Sequence, residues 1–269
     1  VNEGGGGPKL EMAFHTIVCI KSVITRAPMG RTVRTMDSSE LNPYDKPALE
    51  TALRLREEYG GTVTALSMGP ETCAFALHEA MAMGVDRSVL VCDISFAGAD
   101  TLATSNTLAA AISKAAPFDL VLFGVRSADS DTGQVGPQTA VLLGLPLVTG
   151  ARSVLRQGDV LQVERVADGF VENFAMSLPG ALTIHPAAIR PRDVALGGIE
   201  RAFGQQTVEE WRMQDLGLSS NSVGEAGSPT KVLSLSTAKK ERKCEFLPGS
   251  PKQQAEALMR RLRELGWTG

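Results

Sequence analysis

Short apolar, β-branched runs alternate with helical patterns from His15 to Ala151, and this alternation constrains the fold more than any other feature. "HTIVCIK", "TVTALSM", "SVLVC", "DLVLFG" and "PLVTGA" read as strands. Between the first two lies "PYDKPALETALRLREEYG", with Ala48, Ala52, Leu55 and Tyr59 on one helical face and Gly60 as a stop. "PETCAFALHEAMAMG", opened by Pro70 and closed by Gly84, is the second helix. "ADTLATSNTLAAAISKAA" and "GPQTAVLLGL" are the third and fourth. The strands are almost wholly apolar, as strands covered on both faces are. A β-α-β succession of this kind predicts an α/β fold: a mostly parallel sheet with helices on both faces, three layers deep. After Ala151 the pattern changes. "SVLRQGDVLQVERVADGFVENFAMSLPGALTI" reads as short antiparallel strands, with tight turns at Gln157-Gly158-Asp159 and Asp168-Gly169.

Beyond Arg190 the core signals fade. The stretch 215–230 is rich in Gly and Ser and reads as a linker. "GSPKQQAEALMRRLRELG" is a well-marked helix, with Ser250 as N-cap, Pro251 at the first helical position and Gln253 completing a capping box. Ala255, Leu258, Met259, Leu262 and Leu265 form one apolar stripe, which either folds back or packs on a partner. Residues 1–11 are expected to be an extension outside the fold. The expected organisation is 12–204 as one α/β domain and 205–269 as linker and arm.

Several function classes are excluded by composition. A net charge of −3 and 5% aromatics do not suit a nucleic-acid binder. Four scattered cysteines without a C-x-x-C argue against a zinc site or a disulfide framework and fit a reducing compartment. His15, His78 and His185 lie too far apart in the chain to suggest a metal or Ser-His-Asp site. No apolar run approaches the ~18 residues of a membrane helix.

One joint stands out. "GVRSADSDTGQVGPQTA", Gly124 to Ala140, connects a strand to a helix and carries two acids, a hydroxyl, an amide and several glycines. In an open parallel sheet such joints lie at the carboxyl edge, where ligands bind. Neither G-x-x-x-x-G-K-[ST] nor G-x-G-x-x-G follows any strand, so the usual nucleotide fingerprints fail. A helix mouth binds anions without them, through unpaired N–H groups and the helix dipole. Gly133 and Gly136 allow close backbone approach, and Thr132 and Gln134 add neutral donors. Asp129 and Asp131 cap N–H groups or take ribose hydroxyls; as a catalytic pair they lack a nearby His or Lys. Absence of Lys and Arg from 127 to 151 excludes a triphosphate clamp within the stretch. A capped, ligand-free joint is the competing reading, and the length of the joint favours a nucleotide phosphate.

At this point the residues match a known family. "IVCIK", "LNPYDKPALETALRL", "SMGP", "ALHEAMAMGVDRSVLV", "DLVLFGVRSADSDTGQVGP", "SLPGALTI" and "ERKCEFLPGSP" resemble the beta subunit of electron transfer flavoproteins, over residues 14–266. The resemblance implies a Rossmann-like three-layer nucleotide-binding domain in a heterodimer. The beta subunit buries an adenine nucleotide, and the alpha subunit makes most contacts to an electron-carrying FAD. It implies that Cys19, Asn42, Pro43, Tyr44, Asp45 and Met68 hold adenine and ribose. Phosphates would lie along Gly124 to Val135, past Ser127, Asp129 and Asp131, closest to Thr132, Gly133, Gln134 and Val135. It makes 191–204 a dehydrogenase-docking loop with Leu196 as anchor, and the C-terminal arm a wrap on the alpha subunit. The family's usual lysine run after the anchor is here Glu200-Arg201-Ala202-Phe203-Gly204, which implies a different partner surface.

The implied activity is electron transfer from an acyl-CoA dehydrogenase to a quinone reductase or similar acceptor, in a bacterial cytoplasm. One group in the family holds AMP in the beta subunit, with a loop like D-D-D-x-N-Q-T-G. The other holds a second FAD that reacts with NADH in electron bifurcation, with a loop like D-G-D-T-x-Q-V-G-P. This chain shares D-T-x-Q-V-G-P with the second group but has Ser130 in place of the Gly, and the expectation leans to FAD. A small adenine-nucleotide-binding regulatory protein of the universal-stress type is the alternative, and it leaves the C-terminal arm unexplained.

Overall fold

The computed structural model describes residues 14–24, 39–231, 233–234 and 244–267. Segment 1–11 and the part of the arm at 232, 235–243 and 268–269 lie outside the described residues. The chain runs β1 (His15–Cys19), β2 (Ser22–Ile24), β3 (Ser39–Leu41), α1 (Lys46–Tyr59), β4 (Thr62–Met68), α2 (Ala74–Met83), β5 (Arg87–Val91), α3 (Thr101–Lys114), β6 (Leu120–Gly124) and α4 (Val135–Leu142). It continues with β7 (Leu147–Gln157), β8 (Val160–Ala167), β9 (Phe170–Ser177), β10 (Gly180–Ile184), α5 (Leu196–Gly204), β11 (Glu209–Trp211) and α6 (Pro251–Glu264). Residues up to Lys231 make one compact unit, and Val232–Gly269, which contains α6, make another.

Nine strands form one sheet in the order β11-β5-β4-β1-β6-β10-β7-β8-β9. From β11 to β7 the neighbours are parallel. β7, β8 and β9 are antiparallel. From β1 the chain moves outward through β4 to β5, then returns to place β6 on the other side of β1. The strand order therefore reverses between β1 and β6, which is where open α/β sheets take ligands.

Alternation along the strands builds the layers. In β1, Val18 and Ile20 just beyond it enter one core with Leu49, Leu53 and Leu77 from α1 and α2. Ile17 and Cys19 enter the other with Leu108 and Ile112 from α3 and Ala140 from α4. Ile17, Val18, Leu120 and Leu122 are wholly buried, as strands with helices on both faces require. The helices end where the sequence indicates: Gly84 adopts a left-handed conformation (φ 118°) at the end of α2.

Three segments differ from the sequence reading. β10, read among the antiparallel strands, is parallel and central, between β6 and β7. Its residues "GALTI" are all buried, a two-faced pattern rather than a hairpin one. The Gly/Ser-rich stretch 215–230, read as a linker, packs against the domain: Val223 is buried, and buried Ser228 donates to the Gly224 carbonyl at 2.6 Å. Just before it, β11 extends the sheet and Trp211 is buried. A Cβ on Gly224 (φ 56°) would meet the Ser95 carbonyl oxygen at 2.0 Å, so glycine serves close approach there rather than flexibility. Residues 196–204, expected as a loop, form the helix α5. Gly198 lets it touch α2, where a Cβ would lie 2.5 Å from the Ala82 carbonyl oxygen.

Candidate functional site

A cavity of about 770 Å³ opens at the carboxyl ends of β1, β4 and β6. Cys19, Ile20 and Lys21 follow β1; Met68, Gly69 and Pro70 end β4; Phe123, Gly124 and the joint after β6 form the far wall. The loop Phe96–Thr101 and Thr230 close it on the α3 side. Its volume lies within the ~300–1,000 Å³ of small-molecule and cofactor sites.

The joint is shaped by its glycines. A Cβ at Gly124 would lie 2.2 Å from Asp45 Oδ1 and 2.6 Å from the Tyr44 carbonyl oxygen. At Gly136 it would press on Phe123 and Thr183, both at 3.1 Å. Gly133 has φ 63°, a conformation that L side chains disfavour. Gln134 occupies the N-cap of α4 and makes no side-chain cap. The first-turn amides of α4 have no partner inside the helix, and Thr132 to Gly136 line the cavity. An uncapped helix mouth with its positive dipole end towards a cavity suits an anion. By contrast, α3 is capped: Asp100 accepts from the Ala103 amide at 3.0 Å and the Thr230 amide at 2.9 Å.

Each of the two acids of the joint is paired with a cation, Asp129 from outside the joint and Asp131 from within it. Lys21 Nζ lies 2.6 Å from Asp129 Oδ1 and also reaches Ser127 and Ser130. Burial acts to raise the Asp129 carboxyl, but the hydrogen bond and charge of Lys21 outweigh it and hold it below its usual range. Arg126 lies 3.3 Å from Asp131, which sits in the left-handed region at φ 53°. Asn42 clamps the loop, donating to the Arg126 carbonyl at 2.9 Å and accepting from the Ala128 amide at 3.2 Å. Tyr44 accepts from Arg126 at 2.9 Å, and the guanidinium lies over its ring. Asp45 is buried, and burial pushes its carboxyl up to about 7. Burial, then the Asp45 charge, pushes the Cys19 thiol far above its ordinary value.

Cys19, Asn42, Asp45, Met68, Gly124, Ser127, Thr132, Gly133, Gln134 and Val135 thus meet around one cavity. Pro43, Tyr44, Asp129 and Asp131 are not in its wall; the last three brace the loop from behind. Leu196 is remote from the cavity, 86% exposed at the start of α5. Sequence reading missed Lys21, Arg126, Thr230 and the 96–101 loop. Asp100 before an apolar-periodic run was a readable N-cap signal for that loop. Thr230 carried none, since its partner lies 130 residues away. Among the described residues no His, Cys, Asp or Glu cluster could hold a metal ion, and no helix is long and apolar enough to cross a membrane.

The reversed strand order and the pocket at the reversal define the class: a Rossmann-like three-layer α/β/α protein with a switch-point pocket. Residues 31–216 match the electron transfer flavoprotein domain. The chain is 42% identical over 255 residues to the electron transfer flavoprotein subunit beta of Thermoanaerobacterium thermosaccharolyticum, covering 93% of this chain and 98% of that protein. It is 40% identical over 204 residues to the caffeyl-CoA reductase-Etf complex subunit CarD of Acetobacterium woodii, covering 76% and 78%. It is 33% identical over 260 residues to the acryloyl-CoA reductase electron transfer subunit gamma of Anaerotignum propionicum, covering 92% and 97%. The chain belongs to the electron transfer flavoprotein family, and its role is electron transfer.

Proposed function

We propose that this chain is the beta subunit of a heterodimeric electron transfer flavoprotein and buries an adenine nucleotide in the switch-point pocket. The uncapped mouth of α4, with Gly124 and Gly136 giving it room, is the observation that carries this reading. Amides of Thr132 to Gly136 and the side chains of Thr132 and Gln134 hold the phosphates; Cys19 and Met68 flank the adenosine part. Asn42, Tyr44, Asp129 and Asp131 act through the loop they brace. On charge, the joint's own carboxylates are paired with Lys21 and Arg126, while Asp100, also in the lining, is engaged by the Ala103 and Thr230 amides.

The nucleotide here is a second FAD rather than AMP. The cavity is roomy for a mononucleotide, and Asp131-Thr132-Gly133-Gln134-Val135-Gly136-Pro137 shares D-T-x-Q-V-G-P with the loop that goes with FAD, with Ser130 in place of its Gly. When bound, FAD supplies reversible one- and two-electron transfer. The chain's own part is to orient the phosphates, exclude water from the pocket and present α5 to a donor. The alpha subunit is the constant partner and shares the first FAD; α6 is the arm that grips it. A dehydrogenase acting on acyl-CoA esters is the proposed electron donor; relatives named as parts of CoA-ester reductase systems support pairing with an enzyme of CoA esters. A quinone reductase or similar protein is the acceptor, with NADH-linked bifurcation through the second FAD. All four cysteines are free, which suits a bacterial cytoplasm. Co-expression with an electron transfer flavoprotein alpha chain from the same genome tests the assembly. A yellow complex that reduces in the presence of acyl-CoA and its dehydrogenase is expected; a colourless chain that leaves the alpha chain unbound overturns the reading.

A further inference from the structure

Asp45 stands at the N-cap of α1, a position where Asp ordinarily accepts from its own helix amides. Here it makes no such bond. Its carboxylate turns away and accepts the Lys21 amide at 2.7 Å and the Gly124 amide, with Asn42 beside it. Lys21 follows the carboxyl end of β1, and Gly124 ends β6. Around this carboxylate, the Asn42 amide donates to the Lys21 carbonyl at 2.9 Å and the Asp45 amide to the Asn42 carbonyl at 2.9 Å. The absence of a side chain at Gly124 is what lets Oδ1 lie against it.

We propose that Asp45 is a positioning residue that ties the carboxyl ends of β1 and β6 together and so fixes the width of the switch-point pocket, rather than a ligand of the nucleotide. This rests on the pocket being a nucleotide site. The two strands on either side of the reversal pair in register as far as Cys19 and Phe123, and just beyond that last pair one buried carboxylate with two acceptor oxygens bridges Lys21 and Gly124. Capping α1 is given up for this bridge. Neutral Asn cannot replace it: its one carbonyl oxygen serves one of the two amides, and its NH₂ faces the other. Asp45→Asn removes a buried acid while leaving volume unchanged, so global stability and pocket geometry are affected separately.

The test uses the purified flavoprotein complex, wild type and Asp45→Asn, at pH 8, above the raised value of about 7, where Asp45 is ionised. Amide hydrogen exchange is followed in peptides spanning 18–22 and 122–126, with α3 as internal control, together with Tm and the retention of AMP and of FAD after dialysis. The expected result is faster exchange in both strand-end peptides, unchanged exchange in α3, no fall in Tm, and adenine-nucleotide affinity weakened about tenfold, the scale of one lost hydrogen bond. Unchanged exchange at 18–22 and 122–126 overturns the tie. Faster exchange with full nucleotide retention overturns the positioning role, and so does nucleotide loss that only follows a lower Tm. A wild-type complex that releases no adenine nucleotide from this subunit overturns the functional reading instead, and the exchange data still decide the tie.

Discussion

Gly124 shows how much of the site rests on single residues. Any side chain there meets a carboxylate and a main-chain carbonyl, neither of which can swing away. Gly124→Ala should destabilise the domain by about 1–3 kcal/mol, the usual cost of overpacking, and should empty the pocket. A wild-type Tm with full nucleotide content would contradict the geometry. The neighbouring Asp45 gives a pH prediction. Its folded value, raised by burial to about 7, exceeds the ~3.9 of an unfolded Asp. The folded state therefore holds the proton more tightly, and this residue's contribution falls as pH rises from about 4 to about 7, then levels off. Lys21 and the Cys19 thiol are the titratable groups acting on it. The wild-type Tm minus the Asp45→Asn Tm should decline over that window; a constant difference would contradict the raised value. At this scale the sequence was readable where a residue's chemistry is local. The glycines of the joint announced a tight strand-to-helix turn, and Gly133 there has φ 63°. The partner of Asp129 could not be read, because Lys21 lies 108 residues away and meets it only through the fold.

At the scale of elements, α5 is a prebuilt ridge rather than a flexible loop. Ala202 and Gly198 are buried against the domain, and Phe203 stacks on His78 at 4.9 Å and packs on Phe75 at 5.4 Å. Leu196 and Ile199 are exposed. A rigid helix loses little freedom when its anchor enters a pocket, so one Leu can dominate a weak interface. Leu196→Ala should lower the rate of electron transfer from the dehydrogenase at least about tenfold, with flavin content unchanged. Unaltered stopped-flow kinetics would remove the docking role. The helix was illegible because Gly197-Gly198 looks like a breaker; it is the contact surface that needs the glycines. β10 was misassigned for a related reason: a short apolar run records burial but not direction. α6 was fully legible, since Ser250 and Gln253 form the capping box and Pro251 opens the helix as the local sequence dictates. None of its residues is buried. Leu258, Leu262 and Leu265 contribute about 1.5–3 kcal/mol each once covered. Ending the chain at Lys231 should leave the first unit folded and abolish the heterodimer. Co-purification of that shortened chain with its partner at full occupancy would refute the arm.

At the scale of the whole molecule, the α-β alternation alone dictated a doubly wound sheet, and the sheet dictated where a ligand can sit. What it could not dictate was the strand order, because periodicity carries no information about which side of β1 receives β6. That reversal creates the pocket, and the proposed bifurcation depends on what fills it. The direct measurement is to denature the purified heterodimer and quantify the released nucleotides by chromatography. The account predicts two FAD per heterodimer. One FAD with one AMP would keep the adenine site and contradict bifurcation; one FAD and no other nucleotide would contradict the account at its centre.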